Sequence, residues 1–232
     1  IDIKIAGADD FAFKANKFEV QTGSNVDMNG TELILDADGD TSITADTDDQ
    51  IDFKVGGSDV FSVTATGVSG AAVVGKQTMW IPAAAMYPNT TAGCAGLAQV
   101  ELSNGPELKV LDFAAGADDF AQFTVAFPKL WNAGTVTFQA FFTVTGTNTG
   151  TVAWGLSGVA FADSGDINTA FGTNVVATAK AHSGTSNDLD VSAVSGAVTI
   201  AGSPSVDELV FFQIMRDVSA DNQTGAARLL GI

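Results

Sequence analysis

The chain has 232 residues, of which 46% are apolar and 16% charged, and 10 basic against 27 acidic side chains leave a net charge of −17. Such a composition can bury a core and does not suit a disordered chain, while its charge repels nucleic-acid phosphates and anionic membranes. No apolar run reaches the ~20 residues of a spanning helix, and the single cysteine, Cys94, excludes an intrachain disulfide and a paired-cysteine zinc site.

Sixteen Phe, three Trp and abundant Val, Thr and Ile, with 25 Gly falling between short apolar runs, point to an all-β fold. The chain opens in the alternation Ile1-Asp2-Ile3-Lys4-Ile5 and closes in Leu229-Leu230-Gly231-Ile232, a pattern expected of an internal part of a longer polypeptide. Residues 1–75 form a first region with 14 acidic and four basic side chains and no Pro, Trp, Tyr or Cys. It repeats itself: the stretch 1–11, IDIKIAGADDF, aligns with 51–61, IDFKVGGSDVF, fifty residues on. Apolar strand centres near Leu33-Leu35, Ile43, Ile51-Phe53-Val55 and Phe61-Val63 follow one another with Asp/Gly turns between them. Strands this short have one narrow apolar face, too little for a stable core in one chain. The expected solution is an intertwined trimeric β-shaft in which Ile3, Phe11, Ile51, Phe53 and Phe61 lie between chains. A small β-sandwich lobe or a short solenoid is the alternative.

After a small-residue stretch at 68–75, residues 76–232 read as a second region with longer strands. They are predicted at 78–81, 98–102, 108–113, 120–127, 135–145, 151–161, 175–179, 189–191, 197–200, 209–216 and 226–232. About ten strands at this spacing favour a two-sheet sandwich of jelly-roll type. The one helical turn is expected at 166–171.

Catalytic chemistry has few carriers here. The lone His182 sits in a polar stretch and reads as a solvated loop residue, and no nucleophile elbow, phosphate loop or metal-type histidine pair occurs. Acidic pairs such as Asp118-Asp119 are too common to single out as a glycosidase dyad. The chain is therefore expected to be no enzyme and to need no cofactor. Asp36, Asp38 and Asp40 alternate as calcium ligands do, but the position of Gly39, Thr47 in place of a bidentate glutamate and the strand-like flanks fit an Asp/Gly β-turn as well. Among the aromatics, Trp154 reads as core, whereas Tyr87 and Trp131 are expected at a surface that contacts glycans.

The stretch 32–52, ELILDADGDTSITADTDDQID, followed by Gly57-Ser58-Asp59-Val60-Phe61, resembles the shaft repeats of bacteriophage tail fibres and other virion structural proteins, especially from phages of marine bacteria. Met79-Trp80-Ile81-Pro82-Ala83-Ala84-Ala85-Met86, Phe120-Ala121-Gln122-Phe123 and the run 131–137 resemble the globular domain that accompanies such repeats. The resemblance implies a homotrimeric appendage on the particle surface, bound to other virion proteins and meeting a host glycan or protein. It leaves open a tail fibre or a capsid decoration or head fibre. A bacterial adhesin or carbohydrate-binding module, and more remotely a depolymerase, are the readings from other classes.

Overall fold

The structure is a computed structural model that describes residues 2–5, 8–15, 17–20, 25–28, 31–70, 77–129 and 131–232. For 2–5, 8–14 and 17–19 it describes the backbone alone. Strand accounts for 41% and helix for 1%, so the fold is all-β. The chain divides into two compact units, Ile1–Gln77 and Thr78–Ile232.

The first unit begins with β1 (Asp2–Ile5), β2 (Ala8–Lys14) and β3 (Lys17–Val20), which form a three-stranded sheet in that order. A five-stranded meander follows: β4 (Leu33–Ile34), β5 (Ser42–Thr44), β6 (Gln50–Val55), β7 (Ser58–Thr64) and β8 (Gly67–Ser69), each antiparallel to the next. The sequence repeat is also a repeat of backbone. In the first copy Ile3 faces Phe11, the register slips, and Lys4 faces Asp9. In the second, Phe53 faces Phe61, the register slips at the same place, and Lys54 faces Asp59. One extra residue on the return strand makes each slip, a β-bulge that raises local twist. The second hairpin closes through Gly56 and Gly57 at φ 60° and 72°, left-handed values that a two-residue loop requires at both positions.

In the second unit, Pro82 starts a short 3-10 turn, η1 (Ala83–Ala85), before β9 (Tyr87–Pro88). Then come β10 (Ala98–Glu101), β11 (Glu107–Phe113), β12 (Asp119–Ala126), β13 (Phe141–Val144), β14 (Thr151–Val152) and β15 (Trp154–Phe161). The chain ends through β16 (Val175–Val176), β17 (Lys180–Ala181), β18 (Asp190–Val191), β19 (Ile200–Ala201), β20 (Leu209–Arg216) and β21 (Ala227–Gly231). One sheet has the order β10-β11-β21-β13-β18, a second β16-β15-β20-β12-β9 with β19 also beside β15, and β14 pairs with β17 in a third.

Alternation along these strands decides which residues meet. Leu111 and Phe113 of β11, Phe142 and Val144 of β13, and Leu229 of β21 share one core with Phe123, Leu156, Phe212 and Ile214 of the other sheet. Trp154 is fully buried between them, edge-on to Phe113 at 4.9 Å and to Phe142 at 5.5 Å. Each large side chain so enclosed contributes about 1.5–3 kcal/mol.

Three expectations need correction. No strand forms at 78–81, where the chain makes only an isolated bridge from Pro82 to Gly231. No helix forms at 166–171, where the Asp166 carboxylate accepts from the Asn168 N–H at 2.8 Å and makes a turn instead. The predicted strand at 135–145 is regular only over Phe141–Val144. Upstream, serine hydroxyls interrupt the ladder: the Phe138 N–H donates to Ser195 Oγ at 3.0 Å and the Ala140 N–H to Ser192 Oγ at 2.9 Å. Both hydroxyls stay satisfied by donating onward, to the Gly196 and Ala193 carbonyls.

Candidate functional site

The five-stranded sheet of the first unit sets two unlike faces side by side. Because side chains alternate, Ile51, Phe53 and Val55 of β6 project to one side and Gln50, Asp52 and Lys54 to the other. The register carries the apolar side across the sheet: Leu33 faces Ile43, Ile43 faces Phe53 and Phe53 faces Phe61, while Ile51 faces Val63 and Val63 faces Val68. Two apolar rows therefore cross the strands.

Burial runs against polarity. Ile51 is 47% exposed, Val55 56% and Phe53 36%, whereas Ser42 is 2% and Asp52 1% exposed on the opposite face. A sheet with one wet face ordinarily turns its polar side to water. Here the apolar rows are the wetter side. Phe53 and Phe61 touch edge-on with centroids 5.3 Å apart, so the rows are packed within the chain but lack a covering layer among the described residues.

The polar face is tied together by charge and hydrogen bonds. Lys54 Nζ lies 3.0 Å from Glu32 and 3.6 Å from Asp46. That hydrogen bond holds the Glu32 carboxyl below, and the Lys54 ammonium above, its ordinary range. The Ser62 hydroxyl and the Gln50 side-chain amide, which donates to Asp52 at 2.8 Å, lower Asp52 likewise. These side chains lie on the face of β6 opposite Phe53.

Of the side chains expected between copies, Ile51, Phe53 and Phe61 lie together on this face. The side chains of Ile3 and Phe11 lie outside the described residues, although their backbones pair as those of Phe53 and Phe61 do.

The other candidates lie elsewhere. Asp36, Asp38 and Asp40 are exposed, and their carboxylates come within 4.8 Å of one another. Asp36 Oδ1 accepts from the N–H groups of Gly39 at 3.1 Å and Thr41 at 3.3 Å around Gly39 at φ 79°, the hydrogen bonding of a capped turn. Its carboxyl is lowered chiefly by the Thr41 hydroxyl. Tyr87 is 46% exposed and faces Gln122 across the β9–β12 pair. Trp131, in contrast, is half-buried, stacked on Phe127 at 4.1 Å and packed against the core. No ring contact joins Tyr87 to Trp131 among the described residues.

His182 is not a solvated loop residue. It is buried with Asp190, Nδ1 to Oδ2 at 2.6 Å, and its Nε2 has no partner among the described residues. Arg216 is a second buried polar centre that the sequence reading passed over. Its guanidinium pairs with Asp221 at 2.7 Å and donates to the carbonyls of Phe113, Gly225 and Gln223. The alternation of β20 places Arg216 on the inner side with Phe212 and Ile214, and that parity was the signal for it. Cys94 is buried, and desolvation, helped by Asp119, pushes its thiol up to about 12.

In comparisons with known proteins, no family model, no curated protein and no solved structure matches this chain.

Proposed function

We propose that this chain is a non-catalytic structural subunit of a bacteriophage particle, a homotrimeric fibre-type component on the virion surface. In this reading the first unit is the β-shaft, and the second is a jelly-roll-like sandwich that serves host attachment. The observation that carries it is the inverted sheet of the first unit, with Ile51, Phe53, Val55 and Val63 toward water and Asp52 and Ser42 away from it. Copies of the same sheet are the natural cover for those rows. A face repeated by symmetry removes apolar surface from all chains at once, at roughly 1 kcal/mol for each half-exposed side chain. The short outer strands β4 and β8 expose little unpaired edge, so association through the face is favoured over growth at the edge.

The 50-residue repeat supports the same reading, because the two hairpins share register and bulge, as the repeated units of a shaft would. The resemblance of residues 32–52 and 57–61 to phage shaft repeats is the support for a virion location. Antibodies raised against the chain test it: they should decorate projecting appendages on intact particles of the phage that encodes it. Labelling confined to the host cell surface would contradict the reading.

A further inference from the structure

The β10–β11 hairpin turns through residues 102–106. The Gly105 N–H donates to the Leu102 carbonyl and the Leu102 N–H to the Pro106 carbonyl, each at 2.9 Å. Gly105 sits at φ 104°, with nothing within 4 Å of the place a Cβ would take. Asn104 precedes it, exposed at the tip, and its side-chain amide has no hydrogen-bond partner among the described residues.

Other asparagines are held. The amide oxygens of Asn132, Asn148 and Asn222 accept from backbone N–H groups at 3.0, 2.7 and 2.6 Å, and that of Asn89 is buried. None of these four is followed by glycine. Asn29-Gly30, the other such pair in the sequence, lies outside the described residues.

We propose that Asn104 is a site of spontaneous covalent modification, converting to aspartate and isoaspartate through a cyclic imide formed with Gly105. The backbone nitrogen of Gly105, having lost its proton, attacks Asn104 Cγ. The Cγ–Nδ2 bond breaks, and ammonia leaves carrying a proton. Water then opens the imide at either carbonyl, so the net exchange is amide and water for carboxylate and ammonium. Water is the one co-reactant. A side chain on the second residue would crowd the ring as it closes, and glycine has none. The hydrogen bond from Gly105 to Leu102 is the brake, because it must open before the nitrogen can attack. Conversion in the folded chain is therefore slower than in the unfolded chain, yet selective for this turn.

The product changes the hairpin. Its carboxylate joins the end of the ribbon where Glu101 faces Glu107, and like charges there oppose pairing. Isoaspartate also lengthens the main chain of the turn. β10 is the outermost strand of its sheet, so it is the strand that loosens. This chemistry is independent of the fibre reading.

The test keeps the folded full chain in mildly alkaline buffer, digests it in mild acid and weighs the peptides. The peptide spanning Asn104 should gain about 1 Da and split into two chromatographic species. Peptides carrying Asn132, Asn148 and Asn222 should stay unchanged over the same time, and Asn104→Ser should abolish the shift in its own peptide. A parallel sample in urea gives the unprotected rate, which should be the faster. An Asn104 that stays intact in the folded chain while the unfolded chain converts fully would overturn the proposal. So would equal conversion at Asn148 or Asn222 in the folded chain.

Discussion

Phe53 and Phe61 face each other on neighbouring strands with ring centroids 5.3 Å apart, and both point to the side of the sheet that no described residue covers. Fifty residues earlier, Ile3 and Phe11 hold the same register. A pair placed this way packs within its own chain and is still available to another. Phe53→Asp would put a carboxylate in the middle of the apolar rows without altering the β6–β7 hydrogen bonds. The expected result is a monomer, or an aggregate of chains with uncovered rows, in size-exclusion chromatography with light scattering. A stable assembly of wild-type mass from this variant would contradict the role given to the face.

The polar side of the same sheet gives a pH dependence with a definite sign. Glu32 sits below its ordinary value through its hydrogen bond to Lys54. A lowered carboxylate contributes stability above its unfolded pKa of about 4 and loses that contribution as pH falls through the folded value. Lys54→Met should therefore destabilise the first unit at pH 6, and the difference from wild type should shrink toward zero in strong acid. Chemical denaturation of both proteins at several pH values measures it. A penalty that stays constant across the carboxylate range would show that the pair is not its source.

Arg216 and Asp221 form a buried ion pair in the second unit, with the guanidinium also bound to three carbonyls. Removing one partner leaves a charge in the core. Asp221→Ala should cost about 3–5 kcal/mol in urea unfolding of this unit. The isolated effect of a surface ion pair such as Lys129–Asp207, 3.1 Å apart and exposed, should stay below about 1 kcal/mol.

The Cys94 thiol, pushed up to about 12 by burial, is almost wholly protonated at pH 8. In the folded chain it should react with a thiol reagent orders of magnitude more slowly than in urea. Rapid labelling of the native protein would mean that the loop around Cys94 opens on the timescale of the reagent.

The sequence made the strands legible where apolar alternation was long. β20 over Leu209–Arg216 and β12 over Asp119–Ala126 follow directly from it. It also exposed the repeat, because hairpins with the same register and bulge place like residues at the same spacing. Positions whose backbone bonds go to side chains stayed hidden, since nothing in the alternation at 135–140 says that Ser192 and Ser195 will take those N–H groups. The burial of His182 was equally illegible. The residues that follow it in sequence are polar, and the carboxylate that partners its Nδ1, Asp190, arrives from β18. Trp131 misleads for the opposite reason: a loop position three residues after Pro128 suggested exposure, but Phe127 was close enough to stack on it. The inverted polarity of the five-stranded sheet could be anticipated only as a shortage of core. Which side faces water is settled by packing across strands.

The central claim is that copies of this chain cover one another's apolar rows, and the native mass of the purified chain by light scattering tests it most directly. The account predicts a species of about three times the 23.7 kDa chain mass that persists on dilution. A folded monomer at every concentration would contradict it and bring forward a monomeric adhesin or carbohydrate-binding module, with the exposed Tyr87 as its first residue to test.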